Sequence, residues 1–469
     1  MHNNRFTGIR YHCGVVIGKT ALWICRLFKL GGTTLPGKIA LKIYPGLLSR
    51  ISYNCRIIIV TGTNGKTTTS RIISRILEES GIPYLTNRSG ANLLSGITST
   101  FLENTSFSGH RRYQTALLEI DEAATKVVCD HLKPYIITVT NFFRDQLDRY
   151  GELYTTVGNV RSAISKCPDA TIILNADDSL CVSLAEATSK ALYYGINKER
   201  QLQPENDQSA NSDAPFCIRC KSAYLYDYRT YGHLGGFKCP SCGFSRPEPD
   251  IWCELPVTQN DIGSEFNLEI KGDETKYRAS IPLPALYNIY NAIAAAATGF
   301  ACNIPLPIII EGLRSFECGF GRMENINAGD RLIKMILVKN PTGFNQVMDY
   351  LITERSRLNL AFLLNDRIAD GTDVSWIWDV DFEKIGTVSD KINTVYTSGD
   401  RAFDMALRLK YAAISQGNIQ IIKDYMQLLK TALSGIGPGG ILYILPTYTA
   451  MLDIRRILKK NYNLKEFWK

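Results

Sequence analysis

The stretch Arg56-Ile57-Ile58-Ile59-Val60-Thr61-Gly62-Thr63-Asn64-Gly65-Lys66-Thr67-Thr68-Thr69 decides how the rest of the chain is read. The run Ile57–Val60 is β-branched throughout, the composition of a buried strand. Beyond the glycines, Ile72, Ile73, Ile76 and Leu77 recur at helical spacing on one face. Gly81 and Pro83 then end that helix. A strand, a glycine bend and a helix opening on Lys-Thr make a phosphate cradle. Gly62 and Gly65 let the backbone of Thr63, Asn64 and the first helical residues, Thr68 included, turn N–H groups toward phosphate oxygens. Lys66 brings a mobile cation, the Thr67 hydroxyl suits Mg²⁺, and the helix N-terminus adds roughly half a positive charge. The common nucleotide loop has about four residues between its glycines, whereas here only Thr63 and Asn64 intervene.

Working outward, 469 residues are too many for one core and imply about three domains. With 45% hydrophobic and 21% charged residues the composition is that of an ordinary globular protein. A net charge of +8 suits anionic substrates such as ATP, or weak attraction to an acidic membrane surface, without demanding nucleic acid. The thirteen cysteines form no disulfide framework and fit a reducing cytoplasm. The apolar run Cys13–Phe28 is interrupted by Lys19 and Arg26 and is too short to span a bilayer. It lacks a small-residue cleavage site, so a signal peptide is not expected. Ala21, Leu22, Ile24, Cys25 and Phe28 are expected to pack a helix onto the main body. A surface-lying amphipathic helix is the alternative.

From residue 55 to about 200, strands and helices alternate: R-I-I-I-V, A-L-L-E-I (116–120), Y-I-I-T-V-T (135–140) and T-I-I-L-N (171–175). That pattern predicts a mostly parallel sheet with ligands beyond its carboxyl ends. Glu119, Thr140, Asn141, Asn175, Asp177 and Asp178 stand at those ends. A polar stretch over 201–215 leads into Cys217-x2-Cys220 and, eighteen residues on, Cys239-x2-Cys242. Two such knuckles suit tetrahedral Zn²⁺, and an all-cysteine set leaves no open position, so the metal is structural. Residues 286–297, L-Y-N-I-Y-N-A-I-A-A-A-A, set Asn288 and Asn291 one helical turn apart before a buried alanine face. Gly321 then precedes Arg322, whose guanidinium can clasp phosphate oxygens. From 330 a second alternating unit begins. It holds the loop N-D-R-I-A-D-G-T-D-V-S-W-I-W-D (365–379), in which Asp366, Asp370 and Asp373 precede Trp376 and Trp378. Tryptophans beside a charged loop suit either a core or a partner-protein surface.

Taken together, T-G-T-N-G-K-T-T-T, T-N-F-F-R-D-Q-L-D-R-Y-G (140–151), N-A-D-D (175–178), the Asn288/Asn291 pair and G-R-M-E resemble the Mur ligase family, in that family's order, over roughly residues 51–325. The four-cysteine insertion, V-K-N-P-T-G (338–343) and the 365–379 loop narrow the resemblance to synthetase subunits that amidate lipid II alongside a GatD-type glutamine amidotransferase. The resemblance implies an α/β fold: a helical segment and linker (1–50), a Mur-ligase-like central parallel-sheet domain (51–325) with a zinc-ribbon insertion (205–250), and a C-terminal Rossmann-like α/β domain (326–469) contacting the glutaminase. It also implies ATP-dependent activation of a carboxylate as an acyl phosphate, with Mg²⁺, at the cytoplasmic face of the membrane. Lys66 and the loop backbone would hold the ATP phosphates, Thr67 and Glu119 the Mg²⁺, and Asn141 would contact phosphate or metal. Asn288 and Asn291 would hold the nucleotide, Arg322 the γ-phosphate, and Asp177 or Asp178 would shape the site. The third member of the glutaminase triad would come from Asp373, with Asp370 and Asp366 as rivals.

Two departures stand out. Asp145-Gln146-Leu147-Asp148 lacks the family's histidine, and Val160-Arg161 stands where many members carry a carbamylated lysine, Arg161 offering a fixed charge instead. The rival readings are a Mur or folylpolyglutamate-type ligase adding an amino acid, and a zinc-ribbon ATPase binding nucleic acid.

Overall fold

The structure, a computed structural model, describes residues 2–28, 34–87, 90–144, 153–197, 213–255, 257–259, 263–317, 322–354, 356–462 and 464. The Asp145–Asp148 departure lies outside the described residues.

Strands β1 (Arg56–Thr61), β2 (Tyr84–Thr86), β3 (Thr115–Glu119), β4 (Pro134–Val139), β5 (Thr171–Asn175) and β6 (Ala191–Asn197) form the parallel heart of a large sheet, in spatial order β2-β3-β1-β4-β5-β6. Side-chain alternation along β1 explains why both faces are covered. Ile57 and Ile59 enter one core with the N-terminal helices, while Ile58 and Val60 enter another against the helices Lys66–Glu79 and Leu286–Ala301. The chain leaves β6 and makes a hairpin of β7 (Leu225–Tyr231) and β8 (Leu234–Lys238). It returns as β9 (Ile251–Glu254), which pairs parallel with β6. Strands β10 (Thr258–Gln259), β11 (Ser264–Ile270) and β12 (Tyr277–Ile281) finish this sheet in antiparallel fashion.

A second sheet follows, in the order β13-β14-β18-β15-β16-β17. Its strands are β13 (Arg322–Ala328), β14 (Arg331–Ile336), β15 (Leu358–Leu363), β16 (Ile392–Ser398), β17 (Ile419–Ile421) and β18 (Ile441–Pro446). Only the β13–β14 pair is antiparallel. β13 opens at Arg322, inside the stretch the sequence placed with the first unit. Its Glu324 carboxylate accepts hydrogen bonds from Arg455 of the helix Tyr448–Tyr462, which holds this edge hairpin to the second core.

The N-terminal region is helical, as expected, but only half of the expected face is inside. Cys25 is buried and Leu22 partly so, whereas Ile24 and Phe28 are exposed. The reason is the mode of packing: Gly14 and Gly18 let the helix His2–Leu27 approach Leu47, Leu102 and Ala40 closely, so the glycine side faces inward. The next helix, Leu35–Ile43, crosses Leu94–Glu103 at Gly37, whose N–H donates to Ser99 Oγ at 2.8 Å. A Cβ at residue 37 would lie 1.9 Å from the Ser95 carbonyl oxygen. Gly37→Ala therefore forces two backbones apart and is expected to cost about 1–3 kcal/mol, read as a lower urea midpoint. Gly158→Ala, on an exposed helical face with nothing within 4 Å, is expected to leave stability unchanged or raise it by about 0.4–1 kcal/mol.

Candidate active site

The glycine bend is built as the sequence requires. Gly62 and Gly65 both have positive φ (121° and 83°), a region costly for residues with a Cβ. Space enforces the same choice: a Cβ at 62 would meet Thr140 Oγ1 at 2.3 Å, and one at 65 would meet Asn291 Oδ1 at 2.0 Å. The loop is braced from the end of β4. Thr63 N–H donates to the Asn141 carbonyl (2.8 Å), Asn64 N–H to Asn141 Oδ1 (2.9 Å), and Thr140 Oγ1 to the Asn64 carbonyl (2.7 Å). Gly65 begins the helix Lys66–Glu79 without a side-chain cap, so the first-turn N–H groups are left for a ligand's oxygens.

Charge converges at this point. Lys66 Nζ donates to Glu122 Oε2 (2.9 Å) and to the Gly62 carbonyl (2.5 Å). Burial disfavours the ammonium, but Glu122, Asp121 and Glu119 outweigh that penalty and hold its pKa above the ordinary lysine range. Thr67 Oγ1 donates to Glu119 Oε1 at 2.9 Å. Glu119 is fixed at the end of β3, its N–H and carbonyl both bonded by the Asn87 amide (2.9 and 2.8 Å). A hydroxyl and a carboxylate oxygen this close are a hard-oxygen pair fitted to Mg²⁺.

Asn288 and Asn291 line a cleft with Asn64 and Gly65 of the bend and with Lys339 and Asn340 of the second unit. They are joined to each other (Asn291 Nδ2 to Asn288 Oδ1, 3.4 Å), and Thr69 Oγ1 donates to Asn291 Oδ1 at 3.3 Å. Contributions to this cleft from two segments, Lys339 and Asn340 on one and Tyr231 on the other, were not assigned from sequence. Lys339 Nζ donates to the Thr63 carbonyl (3.2 Å) and Asn340 Nδ2 to Asn64 Oδ1 (2.9 Å), so the second unit touches the phosphate loop directly. Asn340 also caps the helix Pro341–Thr353 through Gly343 N–H (2.8 Å). Asn-Pro followed by an amphipathic run is a legible helix start, but nothing in it announces where that start points. The other contributor is Tyr231, at the end of the inserted β7, which lines the cleft and stacks on Phe143 with centroids 5.8 Å apart.

Three expected site residues fall elsewhere. Asp177 is fully buried and its oxygens accept from Arg246 (2.6 Å), Tyr290 (2.6 Å) and the Ile196 N–H (2.8 Å). It fastens the insertion and the Leu286–Ala301 helix to the sheet and leaves no oxygen for a nucleotide. Asp178 accepts from Phe142 N–H and Leu180 N–H (both 2.8 Å) and lies 3.2 Å from His233 Nε2 in the β7–β8 turn. Burial alone would raise its carboxyl, yet His233 and those N–H groups hold it below the usual range. Arg161 is no stand-in for a lysine: its guanidinium is taken up by Glu186 (2.9 Å) and by Ser183 (3.2 Å). Arg322 opens β13, paired with Ile336, whose own side chain lines the cleft.

The cysteine knuckles meet as expected. The Sγ atoms of Cys217, Cys220, Cys239 and Cys242 all lie within 4.8 Å of one another, with pairs at 3.4 and 3.6 Å. Tetrahedral Zn–S bonds would set them about 3.8 Å apart, so the donor set fits Zn²⁺. Each knuckle closes in the same way, Lys221 N–H to the Cys217 carbonyl and Gly243 N–H to the Cys239 carbonyl, with positive φ at both residues.

In the loop after β15 the three aspartates separate. Asp370 is buried and accepts from Thr449 N–H (2.7 Å) and Thr449 Oγ1. Asp366 faces Arg401 Nε at 3.5 Å. Asp373 is exposed, its carboxylate accepting from Ser375 N–H (2.8 Å) and Ser375 Oγ (2.9 Å), bonds that lower its pKa. Trp378 is about half exposed beside it, and Trp376 packs on Phe344.

A short glycine bend, a Thr–Glu oxygen pair and the lysines Lys66 and Lys339, set where two α/β sheets meet, have the chemistry of a nucleotide-phosphate site. Comparison with known proteins gives the branch. A family model described as the Mur ligase middle domain matches residues 60–223, and one described as MurT ligase C-terminal matches 337–451. The chain is 36% identical over 446 residues to the lipid II isoglutaminyl synthase (glutamine-hydrolyzing) subunit MurT of Streptococcus pneumoniae, covering 95% of this chain and 96% of that one. It is 30% identical to the subunit of the same name from Staphylococcus aureus, over 97% of this chain and 99% of that one. Among solved structures, MurF from Acinetobacter baumannii matches with TM-score 0.65 at 16% identity, covering 90% of this chain and 80% of that one. A pseudomurein peptide ligase type C from Methanothermus fervidus gives 0.64 at 22%, covering 88% and 80%. These structures share the fold. The chain belongs to the Mur ligase family, in its MurT branch.

Gly65→Ala is expected to weaken ATP binding about tenfold, because αL strain alone costs roughly 1–2 kcal/mol, with a fluorescent ATP analogue as the reporter. Zinc content should be about one ion per chain. Stripping it with a chelator should loosen the β7–β8 hairpin and weaken the same analogue, since that hairpin carries Tyr231. Unchanged binding after metal removal would refute this coupling.

Proposed function

We propose that this chain is the synthetase subunit that amidates the α-carboxylate of D-glutamate in the lipid II stem peptide, yielding D-isoglutamine. The carboxylate oxygen attacks the γ-phosphorus of ATP, ADP leaves, and an acyl phosphate forms. Ammonia then attacks the acyl carbon, and phosphate leaves, taking up the proton that the nitrogen gives up.

Two anions must meet in the first step, and the residues of the cleft answer that repulsion. The Lys66 ammonium and the uncapped helix turn hold the phosphates. Lys339 brings a second cation from the other unit. Thr67 and Glu119 would hold Mg²⁺, which when bound neutralises phosphate charge. Asn288 and Asn291 orient the nucleotide, and Arg322, whose strand begins beside the cleft, is assigned to the γ-phosphate. The observation that carries this reading is the joint occurrence of the intact phosphate loop with near full-length similarity to relatives named as lipid II isoglutaminyl synthase subunits. The near full-length similarity to relatives named as lipid II isoglutaminyl synthase subunits favours this reading over a nucleic-acid-binding one.

Ammonia comes from a GatD-type glutamine amidotransferase subunit bound to the second unit, and the complex works at the cytoplasmic face of the membrane, where its substrate is anchored. Asp373 is assigned to the partner's catalytic histidine. It is exposed and its two bonds come from one neighbour, Ser375, whereas Asp370 is committed to the Thr449 helix start. A carboxylate so placed orients the imidazole and stabilises its charged form.

Lys66→Ala is expected to abolish amidation with ammonium as well as with glutamine; retained ammonium-driven activity would overturn the ATP-site assignment. Asp373→Asn should remove glutamine-driven activity and spare the ammonium-driven reaction. Equal loss of both would place that residue in the synthetase site instead.

A further inference from the structure

The first fifty residues hold eight of the chain's 53 Lys and Arg and none of its 45 Asp and Glu, so they carry as much net positive charge as the whole chain, +8. The first acidic residue is Glu78. This basic segment also exposes eight large hydrophobic side chains, from Ile9 to Leu35. The helix His2–Leu27 packs inward through Tyr11, Val15 and Cys25, with Gly14 and Gly18 at the closest approaches. Its opposite face carries Ile9, Val16, Ile17, Trp23, Ile24 and Leu27, all exposed, Trp23 by 63% and Leu27 by 61%. Those positions fall on one side at 3.6 residues per turn. Phe28 (66% exposed) extends the stripe, and Phe107 (60%) adds to it from the neighbouring loop beneath the Lys19 ammonium.

Arg10, Arg26, Lys38 and Lys42 are exposed in the same segment. Arg26 pairs with Glu103, the only acidic side chain between residues 1 and 115 apart from Glu78 and Glu79. No helix among the described residues is long and apolar enough to cross a membrane. A helix of this length, about 39 Å, with tryptophan, phenylalanine and leucine on one side and only basic charge nearby, suits the headgroup–acyl boundary of an anionic bilayer, lying in its plane.

We propose that the face formed by Ile9, Val16, Trp23, Leu27 and Phe28, together with the exposed Lys38 and Lys42 of the following helix, docks on an anionic lipid surface and holds the cleft at the membrane that carries the substrate. The proposal borrows from the proposed function only that the substrate is lipid-borne. The test, vesicle binding with neither substrate nor nucleotide, is independent of it.

The full chain in complex with its glutaminase partner is sedimented with vesicles of pure phosphatidylcholine, or of equal parts phosphatidylcholine and phosphatidylglycerol. Binding should be at least about tenfold stronger to the anionic vesicles. Trp23→Ser with Leu27→Ser should lose about tenfold of that binding, and Lys38→Glu with Lys42→Glu should abolish the preference for the anionic lipid, both at unchanged melting temperature. Amidation of detergent-dispersed lipid II should persist in both variants, while amidation of lipid II embedded in vesicles falls. Equal binding to both vesicle types, no binding to either, or variants that bind like the parent protein would overturn the proposal. So would hydrogen-exchange protection of residues 9–28 by the partner subunit in the absence of lipid, which would make this face a protein interface.

Discussion

Between Gly65 and Asn291 there is no room for a methyl group: a Cβ on the glycine would stand 2.0 Å from the amide oxygen. The contact sets the distance between the start of the Lys66–Glu79 helix and the Leu286–Ala301 helix. It therefore fixes where the uncapped N–H groups, the Lys66 ammonium and the two asparagines stand relative to each other. On its other side the loop is bonded to Thr140 and Asn141 at the end of β4. Strand order does the rest. Because β3 and β4 flank β1, their carboxyl ends deliver Glu119 and Asn141 to either side of the bend, as expected where ligands sit beyond parallel strands.

The buried acids at 177 and 178 serve a different purpose. Neither is left to solvent or ligand; each gathers donors from segments distant in sequence, Arg246 and Tyr290 on one, Phe142 and His233 on the other. A buried carboxylate with several donors is strongly committed, since removing one partner strands a charge. The pair thereby converts a cysteine insertion with a small aromatic core of its own, Tyr224, Phe237 and Phe244, into a fixed wall of the nucleotide cleft. The four cysteines converge at the knuckles, and the acids hold the hairpin to the sheet. Stiffness in the ribbon is thus transmitted to Tyr231 and Phe143 by packing.

The second unit completes the cleft by lending a helix start. Lys339 and Asn340 reach the carbonyl and side chain of the phosphate loop itself. Any rotation of one unit against the other would break these bonds along with the shape of the cleft. The shape of the cleft and the relative position of the two units are therefore physically linked.

What the sequence determined by itself was whatever depends on near neighbours. The bend, the helix after it, the alternating strands and the paired knuckles follow from β-branching, glycine, helical periodicity and a two-residue spacing, each local in range. The placement of Glu119 at a strand end, Thr67 at a helix start and Asn288 and Asn291 one turn apart was legible because each sits at a fixed offset within such an element. Only tertiary structure decided that Asp177 and Asp178 are anchors, that Arg161 is spent on Glu186, and that Lys339 and Tyr231 enter the cleft. It likewise separated Asp370 from Asp373 and turned Ile24 and Phe28 outward. These outcomes rest on which distant donor or glycine arrives opposite a side chain, and a linear pattern carries no record of that meeting.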